Sequence, residues 1–237
     1  MQLYQHLRLS STGRLATWAN ALALGACLLL AALACGLRSP LHDLPLERDE
    51  GAYAIIATRW LAGDALYRDL FDHKPPLVYL VFALARILPG DAVRAIRELA
   101  TLYLLLVSFA VLALGWRLYG RWPGVAAQAL VLAYGTSRAF EGLTFNSESV
   151  LILPATLGCL LVVVGMQGRR PALFGWAGMC VGLAVASKPV GAVLLAPQVL
   201  APLMVPWPWR RRLAGASLGL AGAALPLLGF GLLLWRQ

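Results

Sequence analysis

Seven apolar runs, at about residues 17–37, 98–116, 123–139, 150–166, 172–187, 189–206 and 213–235, each approach the length a helix needs to cross a hydrocarbon core. No other feature constrains the fold as much. With 60% hydrophobic and only 13% charged residues, and a mean hydropathy of +0.73, the chain departs from the composition of an ordinary soluble domain. The expected fold class is all-α: a polytopic membrane protein of about seven transmembrane helices, residues 1–237 forming one domain. The net charge of +9 does not point to nucleic acid, because the arginines sit in short clusters between apolar runs and no recognition module accompanies them. Cys27, Cys35, Cys159 and Cys180 lie inside apolar runs without a metal-type or CxxC spacing, so they read as small packing residues.

The first run follows Arg8 and Arg14 and is longer than a cleaved signal core, so it reads as a membrane span. The apolar segment 75–89 is different. It is only about fifteen residues, roughly 20 Å as a helix, and it carries Arg86. If it does not span, the Arg8/Arg14, Arg117/Arg121, Arg169-Arg170 and Arg210-Arg211-Arg212 clusters all fall on the cytoplasmic side, as the positive-inside rule requires. If it spans, the last three move outside. The segment is therefore expected to lie at or dip into the outer interface, within a first outer loop of residues 38–97.

That loop has its own order. Tyr53, Ile56, Ala57, Trp60 and Leu61 recur at helical spacing, so residues 50–61 are expected to form an amphipathic helix on the membrane surface with Asp49 at its start. Gly63-Asp64 ends it, Tyr67-Arg68-Asp69 turns the chain, and Lys74-Pro75-Pro76 opens the second interfacial helix.

The loop also concentrates acid and base. Asp49 and Glu50 stand where water meets the bilayer, and a carboxylate there can take a proton from an acceptor hydroxyl. The competing reading is that Asp49 only caps the helix while Glu50 favours its dipole. Lys74 is placed to neutralise a phosphate leaving group, or else to snorkel at the foot of a helix, with Asp72 and His73 beside it. The second outer loop brings Glu141, Asn146, Ser147 and Glu148 to the border of the next run. Asn146 or Ser147 suits a helix cap, while Glu148 at that depth is a functional candidate with Arg138 as a partner. Lys188-Pro189 breaks a long apolar stretch on the same side and offers a second phosphate contact.

These motifs together resemble the GT-C glycosyltransferases, multi-span enzymes that use polyprenyl-phosphate sugars, among them protein O-mannosyltransferases and the aminoarabinose transferase of lipid A. Asp49-Glu50 with Tyr53-Ala54 is similar to the acidic pair opening the first juxtamembrane helix, and Lys74-Pro75-Pro76-Leu77 to the basic-proline motif opening the second. Asn146-x-Glu148 looks like the acidic position that relatives of the rhizobial lipopolysaccharide transferase carry in the second outer loop, and Lys188-Pro189 resembles a break further along.

The resemblance implies an inverting transferase at the outer face of a bacterial cytoplasmic membrane, N-terminus inside, with a polyprenyl-phosphate sugar as donor and a lipid, glycan or protein as acceptor. It assigns Asp49 as the catalytic carboxylate with Glu50 and Glu148 in support, and Lys74, His73, Asn146 and Lys188 to substrate binding. A divalent metal held by the carboxylates is compatible and not required. The chain matches the N-terminal half of such enzymes, so a fragment is expected. The alternatives are a transporter, disfavoured because the charge lies in loops and not at the midplane, and a non-catalytic lipid-binding or assembly subunit.

Overall fold

A computed structural model describes residues 2–88, 90–138 and 141–237, with side chains from residue 17 onward. The side chains of Arg8 and Arg14, and residue Pro89, therefore lie outside the described set. The described chain is 80% helical without a β-strand. Its helices are α1 (Gln2–Arg38), α2 (Arg48–Leu61), α3 (Pro76–Arg86), α4 (Ala92–Tyr119), α5 (Arg121–Gly135), α6 (Ser147–Gly168), α7 (Ala172–Ser187), α8 (Leu195–Met204) and α9 (Trp209–Trp235), with 3-10 turns at Ser39–Leu41 and Pro189–Leu194.

Long-range hydrogen bonds define two ends of the bundle. At one end, Arg38 at the end of α1 donates to Thr101 of α4, Lys188 after α7 pairs with Glu148 of α6, and the Gln237 side chain accepts from Leu66 N at 2.9 Å. At the other, Arg121 donates to Asn20 of α1 at 2.7 Å, and Arg117 to Gln167 of α6 at 3.3 Å. Arg212, at the start of α9, donates to the Trp207 and Leu203 carbonyls there. The Arg117/Arg121, Arg169-Arg170 and Arg210-Arg211-Arg212 clusters thus share one end, as the positive-inside argument required.

The chain makes seven passes between these ends among the described residues. Four of them, Thr17–Leu41, Ala92–Tyr119, Ser147–Gly168 and Trp209–Trp235, are helices long and apolar enough to cross a membrane. The other three, α5, α7 and Pro189–Met204, are shorter, roughly 23 Å each at 1.5 Å per residue. Four spans are thus carried by helix length alone, against the seven expected. Of the short passes α7 is the enclosed one, whereas α5 and Pro189–Met204 keep Leu130, Tyr134, Leu200 and Met204 exposed. Gly178 of α7 lies so close to α9 that an added Cβ would fall 2.0 Å from the Gly219 carbonyl oxygen, and one on Gly222 would fall 2.0 Å from that of Gly175. Small residues let two backbones approach where apolar side chains gain nothing over lipid.

Residues 75–88 of the short apolar segment do not traverse. Residues 39–91 leave and return at the same end, because Arg38 closes α1 there and Arg97 near the start of α4 reaches back to Pro45 and Glu50. Within that layer α3 spans eleven residues with Pro76 at its first position, and buries Val78, Tyr79, Val81, Phe82, Ala83 and Ala85. α2 begins two residues before the expected start. The apolar stripe of α2 also faces elsewhere than expected. Tyr53, Ile56, Ala57 and Trp60 pack into a core with α3, α4 and Phe145, leaving Leu61 exposed, so the stripe is covered by protein and not by the membrane surface. The Tyr53 ring meets Phe82 at 5.4 Å edge-on, and Phe82 stacks on Phe145 at 5.5 Å. This core welds the two juxtamembrane helices to the loop before α6.

Candidate active site

The first turn of α2 is built by a capping box. Glu47, and not Asp49, is the N-cap: its Oε2 accepts from the Asp49 amide at 2.9 Å, while the Glu47 amide donates to Glu50 Oε2 at 2.7 Å. The cap reading of Asp49 is therefore corrected. Its carboxylate is 39% exposed, and its hydrogen bond from a side chain comes from Arg48 Nε at 3.3 Å.

Glu50 has the opposite environment. It is fully buried, and its Oε1 accepts from Arg97 Nη1 at 2.6 Å and from the Phe145 amide at 2.6 Å. With both oxygens engaged and no solvent path, Glu50 pins α2, α4 and the loop before α6 together. Direct proton transfer with an acceptor does not fit that placement. Arg97 completes the pin by donating to the Leu143 carbonyl at 3.1 Å and the Pro45 carbonyl at 2.7 Å. Arg38 does the same for the α5–α6 loop through Thr101 Oγ1 at 3.0 Å and the carbonyls of Gly135 and Gly142. Neither arginine stood out in the sequence. Each borders an apolar run, where a cation reads as a topology signal.

Tyr53 is where the separate candidates meet. Burial pushes its phenol well above the ordinary range, and the carboxylates of Asp49, Asp72 and Glu148 push it the same way, with Ser147 opposing. Three acidic residues spread over a hundred positions of sequence thus act on one hydroxyl, which makes no hydrogen bond of normal geometry. Tyr79 is likewise raised by burial and then by Asp72.

Lys74 is half-buried before α3, and no carboxylate lies within ion-pair distance of its ammonium among the described residues. Its carbonyl accepts from the Tyr67 hydroxyl at 2.7 Å. Tyr67 itself has φ +69°, a left-handed conformation rare for a bulky residue. The turn before it is closed by Asp69, which accepts from the Ala65 amide at 2.8 Å, and whose carboxyl Arg68 and that amide hold down at about 2. His73 is exposed, with Nδ1 3.0 Å from Asp72.

Asn146 caps α6, its Oδ1 accepting from the Ser149 amide at 3.1 Å, and Ser147 Oγ donates to Glu148 Oε2 at 3.0 Å. Glu148, 57% exposed, is paired with Lys188 and not with Arg138, which makes no ion pair among the described residues. Lys188-Pro189 turns the chain out of α7 and aims the ammonium at the start of α6. An ammonium already neutralised by Glu148 is a weaker phosphate contact than a free one. Among the described residues no three His, Cys, Asp or Glu side chains converge to hold a metal ion.

A membrane bundle whose acids and free lysine gather at one end is the arrangement of an interfacial group-transfer enzyme. The profile of the dolichyl-phosphate-mannose-protein mannosyltransferase family matches residues 73–235, and the chain belongs to that family of GT-C membrane glycosyltransferases. The match includes His73, Lys74, Asn146, Glu148 and Lys188 and begins after Asp49 and Glu50. No curated protein and no solved structure matches the chain.

Proposed function

We propose that this site transfers a sugar from a polyprenyl phosphate to an acceptor hydroxyl at the outer face of the cytoplasmic membrane. The observation that carries the reading is that Asp49, Asp72, the unpaired Lys74 and the Glu148–Lys188 pair all stand at the end opposite the arginine clusters of residues 117–121, 169–170 and 210–212. Asp49 is the exposed carboxylate of its pair and acts as general base. It takes the proton as the acceptor oxygen bonds to the anomeric carbon, and the bond from that carbon to the phosphate oxygen breaks. A single displacement of this kind inverts the anomeric centre. The unpaired Lys74 ammonium stabilises the departing lipid phosphate. Glu50 positions Asp49 through the first turn of α2, and Lys188 fixes Glu148 at the rim. Asn146, its side-chain oxygen committed to the cap, and the exposed His73 are assigned to substrate binding. A divalent metal would need ligands beyond these side chains, since no three His, Cys, Asp or Glu converge among the described residues.

The test is transfer by the full-length protein in liposomes, with a panel of polyprenyl-phosphate sugars as donors. Wild-type protein is expected to consume at least one donor, and Asp49→Asn to insert normally yet lose at least about 100-fold in transfer. Because Glu47 holds the cap, this substitution leaves the helix start intact. Wild-type-like transfer by Asp49→Asn would remove the base from the mechanism, and no transfer from any donor would favour a non-catalytic subunit.

A further inference from the structure

A cavity of about 80 Å³ lies among the C-terminal end of α1, the first turns of α4 and residues 41–45. Its polar lining is Arg38, His42, Arg97, Thr101 and Thr144; neither Asp49 nor Lys74 borders it. Arg38 and Arg97 are 4% and 7% exposed, yet a single carboxylate, Glu50, is ion-paired with either of them. Arg38 makes no ion pair among the described residues and meets only Thr101 Oγ1 and two carbonyl oxygens. Two buried cations and one buried anion leave a net positive charge in a medium that solvates it poorly, a costly arrangement unless an anion completes it. Two donors point the same way: Arg97 Nε and His42 Nε2 are both buried and without a hydrogen-bond partner.

We propose that this cavity binds a phosphate oxyanion, separate from the phosphate that Lys74 serves. The space supports it, since one water needs only about 10–15 Å³ by the same measure, leaving room here for a tetrahedral group. Arg38, Arg97 Nε and His42 then supply three donors from the lining, while the Thr101 and Thr144 hydroxyls already donate to the Arg97 and Glu141 carbonyls. The ends of α1 and α4 are the ends of two candidate spans, so the cavity stands at the level of lipid headgroups. A headgroup phosphate and free phosphate present the same chemistry to these donors.

Native mass spectrometry of the full chain released from neutral detergent reads the binding directly. The probes are inorganic phosphate, dioctanoyl phosphatidic acid and dioctanoylglycerol. A one-to-one adduct is expected with at least one phosphate probe and none with dioctanoylglycerol. Binding of both probes makes the phosphate group sufficient, whereas binding of phosphatidic acid alone makes the ligand a headgroup. His42→Ala removes an imidazole that holds nothing in the folded chain and should weaken the adduct roughly tenfold. His42→Asp should abolish it, and Lys74→Ala should leave it unchanged, which separates this site from the transfer site whatever the fate of the transfer assay. Absence of any phosphate adduct, an adduct that His42→Asp leaves intact, or one that Lys74→Ala removes would overturn the proposal, with trapped water then filling the cavity.

Discussion

Asp49 and Glu50 are neighbours in sequence and opposites in environment. The sequence placed both in the catalytic pair; what separated them was Arg97, whose side chain crosses from α4 to claim Glu50. That contact spans forty-seven positions and has no local signature, so no reading of residues 48–53 alone could have assigned the two carboxylates different roles. Glu47 was hidden for a similar reason, since Glu is seldom a cap and the box works only because Glu50 reciprocates. Glu50→Gln leaves Arg97 buried without its counter-charge and should lower stability by about 3–5 kcal/mol, read as an earlier unfolding midpoint in detergent. Asp49→Asn should not move that midpoint, and equal midpoint shifts for both would contradict the division of roles. At Lys74 the charge itself is predicted to matter: Lys74→Ala should insert normally but slow turnover, and Lys74→Arg should recover part of it. Tyr67→Phe removes the hydrogen bond to the Lys74 carbonyl and should cost about two- to tenfold in transfer. Normal turnover by Lys74→Ala would end the phosphate assignment.

The helices themselves were largely legible. Every apolar run became a helix or a 3-10 turn continuing into one, and Lys188-Pro189 marked a real break, because hydrophobic length and proline act locally. What faces each helix was less legible. The stripe Tyr53, Ile56, Ala57, Trp60 has the same spacing whether it meets lipid or α3, and only the tertiary fold decides. The α7–α9 contact shows the reverse, since glycine in an apolar run is ambiguous until its partner is known. Gly178 has no room for a methyl group against the α9 backbone. Gly178→Ala should therefore force the two helices apart and destabilise the chain by about 1–3 kcal/mol, seen as a lower unfolding midpoint. A wild-type midpoint would mean that α7 and α9 are not in this register.

At the scale of the molecule, the acidic residues are sorted to one end, while arginines stand at both. The arginine clusters gather at one end, and Asp49, Asp72, Lys74, Glu148 and Lys188 at the other, because residues 39–91 enter and leave on the same side. The short length of segment 75–89 and the positions of the arginines made that legible in the sequence. The membrane count was less so, since three of the seven passes are shorter than a full span. All of the chemistry is predicted to face one side of the membrane and the arginine clusters the other. Single cysteines at Asp91, Arg138 and Gly168, in a chain whose four native cysteines are replaced by alanine, test it in intact cells with a membrane-impermeant thiol reagent. Asp91→Cys and Arg138→Cys should be labelled from outside and Gly168→Cys only after the membrane is opened; labelling of Gly168→Cys from outside with none at Arg138→Cys would show the opposite arrangement.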